Sequence, residues 1–80
     1  MNPLRALRAE VHDLRSAHGM RRIEIAERIH QLARDLRDEE LLAAVERGRS
    51  RMDIAATLGV THQAVGYRVR HARKRFGEPA

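Results

Sequence analysis

Thr61, His62, Gln63, Gly66, Tyr67 and Arg70 stand close together near the C-terminal end of the sequence. Gln63 carries an amide whose donor and acceptor match the adenine edge in a major groove, and Arg70 a fork that matches guanine. Thr61, His62 and Tyr67 add short polar groups, and Gly66 would let a backbone approach a ligand closely. Around them runs a set of cations, Arg68, Arg70, Arg73, Lys74 and Arg75, with no acid inside the run. Arg49, Ser50 and Arg51 precede them. Side chains of the first kind suit base edges. Those of the second kind suit phosphates, which fix register without reading sequence.

Other chemistries find less material. His12, His18, His30, His62 and His71 raise the question of a metal, but His12 and His18 are not a same-face helical pair and no His-Glu-x-x-His pattern occurs. There is no Cys, so neither a disulfide nor a thiolate zinc site can form. Ser16 with His18, and Ser50 with Asp53, are accounted for by turns and helix caps. There is no phosphate-binding glycine loop, and 80 residues leave little room for a cleft. The expectation is a non-enzyme with no cofactor, no metal and no small-molecule ligand.

The elements that must position the polar face are helical. Ser50 is a good N-cap with Asp53 at capping-box spacing, and it opens a helix over 51–58 with Met52, Ile54, Ala55 and Leu58. Gly59 ends that helix by supplying a left-handed turn. Val60 fills the corner, and Thr61 caps a last helix over about 62–75, which Gly77 and Pro79 terminate. Val65, Val69, Ala72 and Phe76 follow at steps of 4, 3 and 4 and form its buried stripe. Ahead of this pair, Asp38 followed by Glu39 and Glu40 reads as the start of a separate helix ending at Gly48. Leu42, Val45, Ile54 and Leu58 supply the walls of a three-helix core.

The first half carries a different pattern. Leu4, Leu7, Val11 and Leu14, and then Ile25, Ile29, Leu32 and Leu36, repeat at steps of 3 and 4, as in a coiled-coil seam. The stripe passes His18 and Arg22 between the two sets, which inserts an extra four-residue step, and Gly19 falls in the same place. Either one helix runs from about 3 to 37 or two helices break near 16–20. The second arrangement is favoured, because Ala17, His18 and Gly19 resemble a helix stop and Met20, Ile23 and Ala26 begin a fresh face. The eight seam residues are the expected dimer interface.

Charge divides the same way. Residues 1–40 hold eight Arg and eight acids, whereas residues 41–80 hold seven Arg and Lys74 against three acids, so the second half carries the whole net charge of +5. A neutral assembly segment joined to a nucleic-acid-binding segment has this signature. With only Tyr67 and Phe76 as aromatics the core must be aliphatic. A chain this short buries only about 60% of its unfolded surface, so a partner chain is expected. No run approaches the length of a membrane span, and the N-terminus lacks the apolar stretch of a secretory signal. The expected location is cytoplasmic, associated with the nucleoid.

Residues 50–76 resemble the bacterial helix-turn-helix family, most closely region 4 of sigma factors and the related response-regulator DNA-binding domains. The matching pieces are Ile54-Ala55, Leu58-Gly59-Val60-Thr61 and Val65, with the Arg-rich end that follows. Arg68 stands where the family commonly has a second apolar anchor, and Val69 takes its place. This leaves two rotations of the last helix, one presenting Tyr67 outward and one Arg68. The resemblance implies DNA binding by a trihelical domain over 38–80; with the seam over 1–37 read as a coiled-coil-like helical oligomerisation segment, the expected fold is all-α. The expected function is sequence-specific transcriptional regulation, most simply repression, by a homodimer on inverted-repeat double-stranded DNA. The alternatives are an adaptor docking on the transcription machinery or a toxin, and a sequence-tolerant architectural DNA-binding protein.

Overall fold

A computed structural model describes residues 2–76. All regular structure among them is helical: α1 (Pro3–Leu14), α2 (Met20–Glu46), α3 (Arg51–Leu58) and α4 (His62–Phe76). None of these helices is long and apolar enough to cross a membrane. The expected stops at Gly77 and Pro79 lie outside the described residues. The chain divides into two compact units, residues 1–37 and 38–80, with α2 contributing to both.

In the first unit, the Asn2 side chain accepts the Leu4 N–H at 3.0 Å, and Pro3 takes the first helical position, where its missing N–H costs nothing. α1 stops after Leu14, and Gly19 adopts a left-handed φ of +57°. The Arg22 guanidinium reaches back to donate to the Leu14 and Ala17 carbonyls at 2.8 and 3.3 Å, satisfying acceptors that a helix end leaves open. One turn and a half further along α2, Arg28 Nε meets Glu10 Oε1 of α1 at 2.8 Å. The pairs 14–22 and 10–28 are those of an antiparallel hairpin. That hydrogen bond to Glu10 is the main reason the Arg28 guanidinium is held above its usual pKa range. Two helices therefore form here, broken at Gly19. Arg22 is a cap rather than a member of an apolar stripe.

The seam residues differ in what the hairpin does with them. Ile25 is 0% exposed, so its side chain is used within the unit and is not presented to a second copy, contrary to its assignment as an interface residue. Leu7, Leu14, Ile29, Leu32 and Leu36 are half-buried. Leu4 and Val11 are exposed by 49% and 47%.

A new helix does not begin at Asp38. α2 runs unbroken to Glu46, because no Gly or Pro interrupts residues 20–46. A capping residue with nothing to stop the preceding turn is simply carried along inside the helix. The Asp38 carboxylate is instead buried, 3% exposed, and accepts from Arg75 at 2.6 Å. α2 ends where Gly48 enters the left-handed region at φ +86°. The Arg49 N–H then bonds the Ala44 carbonyl and the Gly48 N–H the Val45 carbonyl, the paired bonds of a Schellman motif.

The remaining boundaries follow local signals. Ser50 Oγ accepts the Asp53 N–H at 3.1 Å to open α3. Gly59 closes α3 at φ +69°, with the Val60 N–H on the Ala55 carbonyl. Thr61 Oγ1 accepts the Ala64 N–H at 3.1 Å to open α4. The core of this unit is Leu41, Ala55, Val65 and Val69, with Leu42, Val45, Ile54 and Val60 packed against it. Val65 and Val69 are fully buried, and burial of each is worth about 1.5–3 kcal/mol. Ala55 is small enough to let α3 and α4 approach. Leu58, expected as a wall, is exposed, and Val60 at the corner takes that role. Phe76 leaves the buried stripe and lies 41% exposed beside the Arg75 guanidinium.

Candidate nucleic-acid interface

α4 turns one side inward through Val65, Val69 and Ala72. At 100° per residue, the opposite side is then Gln63, Tyr67, Arg70 and Lys74, at steps of 4, 3 and 4. All four are exposed, as are Thr61, His62, His71 and Arg73 around them. Thr61 is also occupied structurally, since its hydroxyl holds the first turn of α4. The rotation of the helix is thereby fixed: Tyr67 is outward, 56% exposed, and Arg68 lies on the flank, half-buried. Tyr67 and His71 stack with ring centroids 4.3 Å apart and a tilt of 38°, which fills the space between successive turns.

Two expected contacts are placed differently. Gly66 is buried and does not offer its bare backbone to a ligand. A Cβ at this position would meet Arg51 Nη1 at 3.3 Å and Arg70 Nη1 at 3.6 Å, so the space saved by the glycine belongs to those two side chains. Arg75 is directed to the other flank of α4, onto Asp38, and its guanidinium is committed to that carboxylate rather than standing ready for a phosphate. The Ser50 hydroxyl oxygen accepts the α3 cap bond, which leaves its O–H as the group able to donate to a phosphate.

The remaining cations form an uncompensated field. Arg70, Arg73 and Lys74 on α4 and Arg49 and Arg51 at the start of α3 are all exposed. None of them enters an ion pair among the described residues. α4 contains no acid at all, and its basic last turn sits at the helix end where positive charge is favourable. The charge of such a surface is complementary to a polyanion. Gln63, one turn from the N-terminus of α4, combines amide donor and acceptor with exposure.

No set of three His, Asp or Glu side chains comes together among the described residues in a way that would hold a metal. Shallow depressions follow the outer side of α1, one lined by Leu7, Arg8, Val11, His12 and Arg15. Sequence reading missed the Asp38–Arg75 pair and the Arg51–Gly66–Arg70 cluster. Each brings together residues of two different helices, for which no spacing rule gives a signal. The chain matches no family model, no curated protein and no solved structure.

Proposed function

We infer that α3, the Gly59–Thr61 turn and α4 act as a helix-turn-helix, with α2 residues 38–46 as the third helix of a trihelical DNA-binding domain. The protein is then a sequence-specific transcriptional regulator that lays α4 in the major groove of duplex DNA. One observation carries this reading. The exposed row Gln63, Tyr67, Arg70 and Lys74 contains no acid and is set on a packed α3–α4 corner. Gln63 reads a base edge, with Thr61, His62 and Tyr67 beside it. Arg49, Arg51, Arg73 and Lys74 hold phosphates, and Arg68 assists from the flank.

Two such domains are joined by the helical segment 1–37 into a homodimer that matches an inverted repeat. Support comes from the apolar side chains Leu4 and Val11, left exposed on a hairpin in which Ile25 is the one fully buried aliphatic residue described. A unit with so little core gains stability from association. Blocking polymerase access is the simplest action for such a dimer, and the nucleoid is its place of work.

The test is fluorescence anisotropy with random-sequence and selected duplexes across a salt series, with sedimentation of the free protein. The reading expects a dimer, a log–log salt slope of about −0.9 per phosphate neutralised, and tighter binding to selected sites. Gln63→Ala should then weaken selected sites more than random ones. A salt slope without sequence discrimination would favour an architectural role. A protein indifferent to every duplex would favour an adaptor docking through the exposed apolar residues of its first unit.

A further inference from the structure

Gly66 is an anomaly inside α4. Glycine is the poorest helix former after proline, and it is tolerated where a positive φ demands it. The positive-φ glycines are Gly19, Gly48 and Gly59, and Gly66 is not among them. Its backbone is ordinary helix, so conformation does not explain it. Space does. The position is buried, and the atoms nearest a Cβ there would be guanidinium atoms, Arg51 Nη1 and Cζ at 3.3 and 3.6 Å and Arg70 Nη1 at 3.6 Å. Two cations from different helices thus converge on one bare turn of backbone.

Like charges repel, and an arrangement that draws two of them together without an acid between them lacks its counter-ion. Neither Arg51 nor Arg70 is paired with a carboxylate among the described residues. Asp53, the nearest acid in sequence to Arg51, is two positions along α3, a spacing that puts it on another face of the helix. Both arginines are nonetheless exposed, so the approach from solvent is open. Guanidinium forks bind tetrahedral oxyanions with paired, charge-assisted hydrogen bonds.

We propose that Arg51 and Arg70, converging over the bare backbone of Gly66, form a two-guanidinium clamp for a single phosphate group. On the DNA-binding reading, on which this identification of the ligand rests, the group is one phosphodiester of the duplex backbone. Arg70 is then an anchor that sets the register of α4 in the groove, and base reading falls to Gln63 and its neighbours. Gly66 is the positioning residue: a Cβ alone asks Arg51 to shift by a few tenths of an ångström, whereas a side chain as large as leucine occupies the place where the two forks meet.

Two measurements test the clamp separately from the function. In the first, inorganic phosphate is titrated into labelled full-length protein while the Gly66 amide and the Arg51 and Arg70 Nε–H signals are followed by NMR. Saturable shifts of all three are expected, and their loss is expected in Gly66→Leu, with circular dichroism showing that this variant keeps its helices. In the second, Arg51→Gln, Arg70→Gln and the double variant are compared on several duplexes. The clamp predicts an equal loss on every sequence for each single variant, of about three- to tenfold. It also predicts a double variant little worse than either single, and a salt slope shallower by about 0.9. Phosphate shifts without duplex binding would leave the clamp standing for a free phosphate ligand and remove the DNA reading. Duplex binding without phosphate shifts, with additive losses that depend on sequence for Arg70→Gln, would overturn the clamp and return Arg70 to base reading.

Discussion

The Asp38–Arg75 pair offers the sharpest test of how the second unit is held together. Asp38 is on α2 and Arg75 in the last turn of α4, and their 2.6 Å contact ties the two helices 37 positions apart in sequence. The two side chains are unequally buried, 4% exposed for Asp38 and 32% for Arg75. Removing one partner of a buried pair costs about 3–5 kcal/mol. Here the figure must be reduced for the variant that leaves Arg75 behind, because its guanidinium can turn to water. Asp38→Leu should therefore cost only about 1–2 kcal/mol, whereas Arg75→Met takes the 2.6 Å partner from a carboxylate out of reach of solvent and should cost about 2–4 kcal/mol. For a chain of this size that is roughly 10–20 °C in melting temperature for Arg75→Met. Replacing both, as Asp38→Leu with Arg75→Met, should recover most of the loss, since an apolar pair needs no counter-charge. The assay is thermal and urea unfolding followed by circular dichroism, with the four proteins treated as a double-mutant cycle. Arg75→Met within about 0.5 kcal/mol of wild type, or losses that simply add, would refute the argument that this contact is a buried, coupled interaction.

Other substitutions separate stability from binding. Gly66→Ala should raise the melting temperature by a few degrees, since alanine gains about 1 kcal/mol of helix propensity and its Cβ meets only the movable tips of Arg51 and Arg70; a lower melting temperature would show that the Arg51 guanidinium is held in place and does not give way. Gly59→Ala should lose about 1–2 kcal/mol in urea unfolding, because the residue must hold φ +69°. Val11→Glu, at an exposed position of α1, should leave the melting curve of a dilute monomer nearly unchanged and raise the dimer dissociation constant at least tenfold in sedimentation.

What local signals convey and what they omit can be seen at neighbouring residues. Ser50, Gly59 and Thr61 act through bonds to groups within a few positions, so their types alone locate α3 and α4. The break at Gly19 is legible for the same reason. Asp38 has the same capping chemistry as Ser50, but no helix stop precedes it, and its partner lies in a helix that sequence spacing cannot bring near. The apolar steps of α4 identify Val65, Val69 and Ala72, yet the outward choice between Tyr67 and Arg68 depends on where α3 packs. Gly66 reads as a concession to a ligand until Arg51 is placed over it. Ile25 repeats with the seam and is nevertheless consumed inside its own hairpin. In each case the missing information is a contact between elements, which periodicity within one element does not contain.

The stacked pair on the outward side of α4 has a spectroscopic consequence. The chain has no Trp and only one Tyr, so its near-ultraviolet absorbance and emission arise almost entirely from Tyr67, with Phe76 nearly silent when excited at longer wavelength. That single chromophore lies against the His71 ring at 4.3 Å and is half open to solvent. Its quantum yield therefore responds to whatever settles on this face or alters the neighbouring imidazole. The protein carries an intrinsic optical probe at the centre of its candidate interface, and ligands can be screened there without attaching a dye.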